Sequence, residues 1–201
     1  MKKKTSTGLL ISLVYFLLLT PLSANSLSGN IEAPARVKKL IIYLTHESSI
    51  QKNKTPIVHH VSQKNTRFSE PLLIVRSGDT IEWLNNEAKE IDHNIFSLSP
   101  LNRFDLGLGV KGSTLSHVFK KTGVLNYYCS VHKEMEGKIV ILPSRHYQLL
   151  TQPGHFKIDN IPEGQWTLKV IVFHRRYQVK TMQITVVNNQ PNTVNLKVIK
   201  R

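Results

Sequence analysis

Along most of this chain, apolar and polar residues alternate with period two, in short runs rich in Val, Ile, Thr, Tyr and Phe. That pattern predicts half-buried β-strands. It places strands at Val37–Thr45, Ile57–Val61, Leu72–Val75, Thr80–Leu84, Ile95–Leu98, Leu115–Phe119, Val124–Cys129 and Gly137–Leu142. A second set follows Pro143: Phe156–Ile158, Trp166–Phe173, Tyr177–Val187 and Thr193–Ile199. Ser77-Gly78-Asp79, Asn85-Asn86, Gln152-Pro153-Gly154 and Pro162-Glu163-Gly164 read as turns between them. No long segment has helical periodicity. Short strands at this spacing predict an all-β protein built of β-sandwiches.

One apolar run breaks the alternation. Lys2, Lys3 and Lys4 precede a nearly uncharged stretch from Gly8 to Leu19, and the small residues Ala24 and Ser26 follow. Residues 1–26 thus have the charged start, apolar middle and small-residue exit of a secretory signal. An uncleaved anchor is the competing reading, but the run is short of the about 20 residues a span needs. No second run of spanning length follows. The expected product is periplasmic, with no stable membrane span.

Composition changes this picture little and charge somewhat more. Of 201 residues, 40% are apolar and 20% charged, which suits a packed chain. The formal charge is +14; residues 1–26 hold three lysines and no acid, so +11 remains without them. Such an excess attracts nucleic acid, anionic membranes or acidic proteins. Export argues against nucleic acid, and the basic residues are scattered along the chain. An acidic partner surface is the expectation, with pairs such as Lys120–Lys121 and Arg175–Arg176 read as solvated.

The single cysteine, Cys129, excludes an intramolecular disulfide. In an oxidising compartment a lone thiol is buried, catalytic or metal-bound. Its surroundings favour metal. A strand ends at Cys129, and the loop that follows offers His132 and Met135 before the next strand. Thiolate, imidazole and thioether are the donors copper prefers. His93, at the start of another strand, supplies a second imidazole. Two His, one Cys and one weak Met make the donor set of a blue-copper electron-transfer site.

These residues also resemble a family. Gly78-Asp79-Thr80-Ile81-Glu82-Trp83 with Asn85, then His93-Asn94, then Tyr128-Cys129-x-x-His132-x-x-Met135-x-Gly137-Lys138, look like the cupredoxin pattern over residues 56 to 142. The short gap from His132 to Met135 is closest to amicyanins. The resemblance implies a Greek-key β-sandwich with copper at one end and an electron-carrier role, not an enzyme. It implies His93, Cys129 and His132 as strong ligands and Met135 as the axial one. It implies that Asn94 ties its loop to the cysteine loop near Ser130. Where such loops tend to carry prolines, this chain has Val131, Lys133 and Glu134.

Other signals carry less. Gly107-Leu-Gly-Val-Lys-Gly112 matches a dinucleotide-binding glycine pattern, but a strand rather than a helix follows, so it reads as a turn. Cys129 and His132 as nucleophile and base would leave Met135 unexplained. His46, His59, His60, His117, His146, His155 and His174 read as surface or core histidines.

Gly154-His-Phe156-Lys-Ile158 and Ile161-Pro162-x-Gly164-x-Trp166-Thr-Leu168 resemble part of a carboxypeptidase-regulatory-like (transthyretin-like) sandwich. Its first strand is missing, and the run Leu40-Ile-Ile-Tyr-Leu44 has no place in the cupredoxin pattern. The expected order is a signal at 1–26, first strands of the second sandwich at 27–48, a cupredoxin domain at 49–144 and the rest of that sandwich at 145–201. Two modules in tandem are the alternative. Similar long exported cupredoxins are often labelled methylamine-utilisation proteins, a resemblance only; nothing in the residues points to methylamine itself. A copper carrier that delivers metal to another protein is the second functional reading, and a module without metal the third.

Overall fold

The computed structural model describes residues 25–46, 55–188 and 190–201. The targeting segment expected at 1–26 falls outside them up to Ala24, as does the boundary expected at 48/49. The strands, in chain order, are β1 (Leu27–Glu32), β2 (Leu40–Thr45), β3 (Val58–Lys64), β4 (Arg67–Phe68), β5 (Leu72–Arg76), β6 (Thr80–Asn85), β7 (His93–Ser97), β8 (Phe104–Gly109) and β9 (Thr114–Val118). They continue as β10 (Gly123–Tyr128), β11 (Glu136–Leu142), β12 (Tyr147–Leu150), β13 (Gly154–Ile158), β14 (Gly164–Val172), β15 (Tyr177–Gln178), β16 (Met182–Val186), β17 (Asn192–Lys197) and β18 (Ile199–Lys200). Among the described residues there is no helix, and the fold is all-β.

Two sandwiches result. In the first, the sheet β5-β11-β10-β7-β8 faces the sheet β4-β3-β6-β9. Inward side chains of both sheets form one core around Ile81, Trp83, Phe119, Tyr127 and Ile139. In the second, β13-β1-β17 faces β12-β2-β14-β16, around Leu40, Ile42, Leu44, Phe156, Trp166 and Leu168. β2 pairs antiparallel with β14, from Thr45↔Thr167 to Leu40↔Val172, and with β12. None of its pairings is to β11.

The run at β2 now has a physical reason. Leu40, Ile42 and Leu44 point into the second core, while Ile41 and Tyr43 face the other way. There Ile41 shares a small core with Val140 and Leu142 of the first sandwich, against which Leu72 and Ile74 also pack. β11 is dry on both faces for the same reason: Ile139 and Ile141 enter the first core, Val140 and Leu142 the junction. Strands buried on both sides read as unbroken apolar runs.

Three strands of four or more residues run where the alternation pattern gave none. β1 (LSGNIE) is interrupted by Gly29, which is required: a Cβ there would sit 1.7 Å from the Val194 carbonyl oxygen on parallel β17. β8 contains Gly107 and Gly109, so the glycine-rich turn expected over 107–112 shrinks to the residues around Gly112. β12 is short and tied to β2. Conversely, the strand expected over Tyr177–Val187 is split between β15 and β16.

Candidate metal centre

The site forms at one end of the first sandwich, where three strand ends meet. β7 opens with His93, fully buried. β10 ends at Tyr128, and the loop from Cys129 to Met135 returns the chain to β11. That loop closes on itself: Cys129 N donates to Met135 O (3.1 Å) and Met135 N to His132 O (3.0 Å). Gly137, just beyond, has no space for a side chain, because a Cβ would lie 2.3 Å from the Tyr127 ring. The register of β7 on β8 shifts between Asn94 and Phe96, a bulge beside the site of the kind that re-aims side chains.

The structure brings His93, Cys129 and His132 together, with one ligand atom of each within 4.8 Å of the others. His93 Nδ1 lies 3.8 Å from Cys129 Sγ and 3.1 Å from His132 Nδ1. Met135 is buried in the same core as Cys129. His132 is half-buried, and Val131, Lys133 and Glu134 beside it are exposed. Among the described residues this is the one cluster of three such donors.

Asn94 bridges the two ligand segments. Its Oδ1 accepts from Ser130 N at 2.6 Å and from Ser130 Oγ at 2.9 Å. The bond locks the cysteine loop onto β7 and leaves the sulfur buried.

Glu87 was not legible in the sequence. Its Oε1 lies 3.0 Å from His93 Nε2, at the back of the imidazole. The same carboxylate accepts from Thr66 N (2.7 Å) and Asn65 N (3.0 Å), holding a turn whose residues have positive φ. Burial raises the Glu87 carboxyl, but the bonds from Thr66, His93 and Asn65 outweigh it, and the group rests below its ordinary value. An ionised Glu87 accepts from the Nε2–H of His93, which leaves Nδ1 as the ring nitrogen that faces Cys129 and His132. A buried carboxylate behind an imidazole is the usual partner of a metal-binding histidine. In sequence Glu87 is one of three acids in a polar loop with Glu90 and Asp92, and only burial sets it apart.

Five of the other seven histidines are engaged elsewhere. His59 Nε2 reaches Asp79 at 3.1 Å, and His60 faces Glu82 at 3.3 Å. His117 stacks on Phe104, with ring centroids 4.6 Å apart. His46 and His146 each meet the Trp166 ring edge-on.

No family model matches this chain. Over 78 residues it is 33% identical to amicyanin of Paracoccus denitrificans, a match that takes in 37% of this chain and 58% of the relative. The chain thus spans a little over half the length of that relative. Among solved structures, a purple cupredoxin from Nitrosopumilus maritimus is 24% identical, with 41% of this chain and 98% of the other covered and a TM-score of 0.38. A copper-containing nitrite reductase from Thermus scotoductus is 21% identical, with 44% and 23% covered and a TM-score of 0.39. The two facing sheets from β3 to β11, with the donor set at one end and the amicyanin-like sequence, give this portion the cupredoxin fold. Its cofactor is copper: a thiolate and two imidazoles converge with a buried thioether nearby, the set that metal selects.

Proposed function

We propose that this chain is an exported type 1 copper protein that carries single electrons between redox partners. His93, Cys129 and His132 would hold the copper, with the buried thioether of Met135 as a weaker fourth donor. Bound copper supplies a one-electron couple between its two oxidation states. The protein's part is to keep the donors in one arrangement for both states. Glu87 fixes the first imidazole, the Asn94–Ser130 bonds fix the loop, and burial keeps water from the thiolate. The half-exposed edge of His132 is the exit for the electron, toward a partner with an acidic surface.

The observation that carries this reading is the convergence of His93 Nδ1, Cys129 Sγ and His132 Nδ1 with His93 Nε2 already engaged by Glu87. Addition of Cu(II) to the purified protein is expected to give an intense blue colour and a reversible redox couple, both absent in Cys129→Ser. A colourless complex of the unsubstituted protein overturns it. The exposed, proline-free stretch at Val131, Lys133 and Glu134 supports one other reading, a periplasmic carrier that hands copper to an acceptor. Fast metal transfer without electron exchange selects that one.

In the same reading, residues 49–144 form a cupredoxin domain inserted into a carboxypeptidase-regulatory-like sandwich made by 27–48 and 145–201. The pairing of β2 with β12 and β14 supports this arrangement.

A further inference from the structure

One end of the second sandwich collects positive charge from three separate segments. Phe173 N donates to Lys39 O (3.3 Å), holding the approach to β2 against the hairpin after β14. Arg201 N donates to Arg176 O (3.0 Å), next to the β15–β18 pairing. Val198 N donates to Glu32 O (2.8 Å). Segments 32–40, 173–180 and 197–201 therefore share one end. They present Arg36, Lys39, Arg175, Arg176, Lys200 and Arg201, all exposed, and contain one acid, Glu32. None of these six cations forms an ion pair among the described residues.

The chemistry of this end differs from that of a protein-docking patch. Protein interfaces centre on buried aromatic or aliphatic anchors within a polar rim. Here there are no such anchors. Every exposed large apolar side chain of the described residues lies between Ile57 and Val131, on the copper sandwich. Unpaired cations without apolar anchors suit a ligand that presents many negative charges and demands no shape fit. An anionic bilayer is such a ligand, and each Lys or Arg near it strengthens attachment roughly fivefold.

We propose that this end of the second sandwich docks on anionic phospholipid surfaces by electrostatics, without insertion, and holds the copper sandwich beside the membrane. The proposal does not depend on the copper reading.

The full chain is sedimented with phosphatidylcholine vesicles, with and without phosphatidylglycerol, at low and high ionic strength. Attachment is expected only with phosphatidylglycerol and only at low salt. The triple variant Arg175→Glu, Arg176→Glu, Lys200→Glu is expected to lose about 100-fold or more in partition. The charge-matched triple Arg103→Glu, Lys120→Glu, Lys121→Glu, on the copper sandwich, is expected to lose far less. Equal loss in both triples overturns the proposal, because net charge then explains the binding. Attachment to phosphatidylcholine alone, or attachment that survives high salt, overturns it in favour of the apolar N-terminal run. Equal retention by soluble polyglutamate overturns it in favour of an acidic protein. Far-UV circular dichroism checks that the variants fold, and the single change Arg175→Glu gives a smaller loss in the same direction.

Discussion

The two sandwiches have nine strands and seven, with the small β15-β18 pair beside the second, yet they bury different things. The core of the second is built of aliphatic and aromatic side chains. The first also buries Gln63, Arg76, Asp79, Asn85, Glu87, His93, Asn94 and Ser97; elsewhere among the described residues, only Ser144 and His146 at the junction do the same. A buried polar group destabilises unless it is bonded. In the first sandwich these groups gather at the two ends of β6. Asn85, Glu87, His93 and Asn94 lie at the copper end, and Arg76 and Asp79 at the other. Where a fold tolerates this cost, it holds chemistry or a joint; where it does not, it holds shape.

The largest expected effect breaks the contrast from the apolar side. Leu168 is fully buried in the second core. Leu168→Ala is expected to cost about 2–5 kcal/mol of stability, read by urea unfolding. The blue absorbance of the folded variant is expected to be unchanged, since no ligand touches that core. A shifted spectrum would show that the sandwiches do not divide their roles.

A smaller effect probes the polar side. Glu87→Ala removes the acceptor behind His93 and the clamp on Asn65 and Thr66. Copper affinity is expected to fall about 10- to 100-fold, measured by competition with a chelator. Unaltered affinity would reduce Glu87 to a loop fastener.

The smallest effect concerns the joint. Burial raises the Asp79 carboxyl, but bonds from Ile57 N, Arg76 N, His59 and Arg145 outweigh it, leaving the group below its ordinary value. A depressed carboxyl favours the folded state above its unfolded pKa, about 3.9, and that contribution is lost as pH falls through the folded value. Melting temperature is therefore expected to drop below roughly pH 4, and to drop less steeply in Asp79→Asn. Parallel pH curves for the two proteins would exclude Asp79 as the acid-sensitive element.

The cluster of His93, Cys129 and His132 was legible because its chemistry is rare and most of it is local. One cysteine, and a His and a Met within six residues of it, mark the loop by type and spacing alone. Alternation marked most strands, since period two survives in any half-buried sheet. What stayed hidden depends on contacts far along the chain. Gly29 looks like a strand breaker until Val194 is seen pressed against it. Glu87 looks like any loop acid until the fold carries it behind His93. The basic end is spread over three segments, and no window of sequence contains it.

Ser144 Oγ donates to Leu44 O at 2.5 Å across a separation of 100 residues, and Leu44 N donates to His146 O at 2.9 Å. The strands on either side of the copper sandwich thus leave and rejoin its companion at one point. For an open chain, closing a loop of that length is slow and entropically unfavourable. If the copper sandwich condenses first, its own folding brings Leu44 and Ser144 together, and the companion then closes across a gap of a few residues. In that order of assembly the companion would close last, and damage to the copper sandwich would delay both.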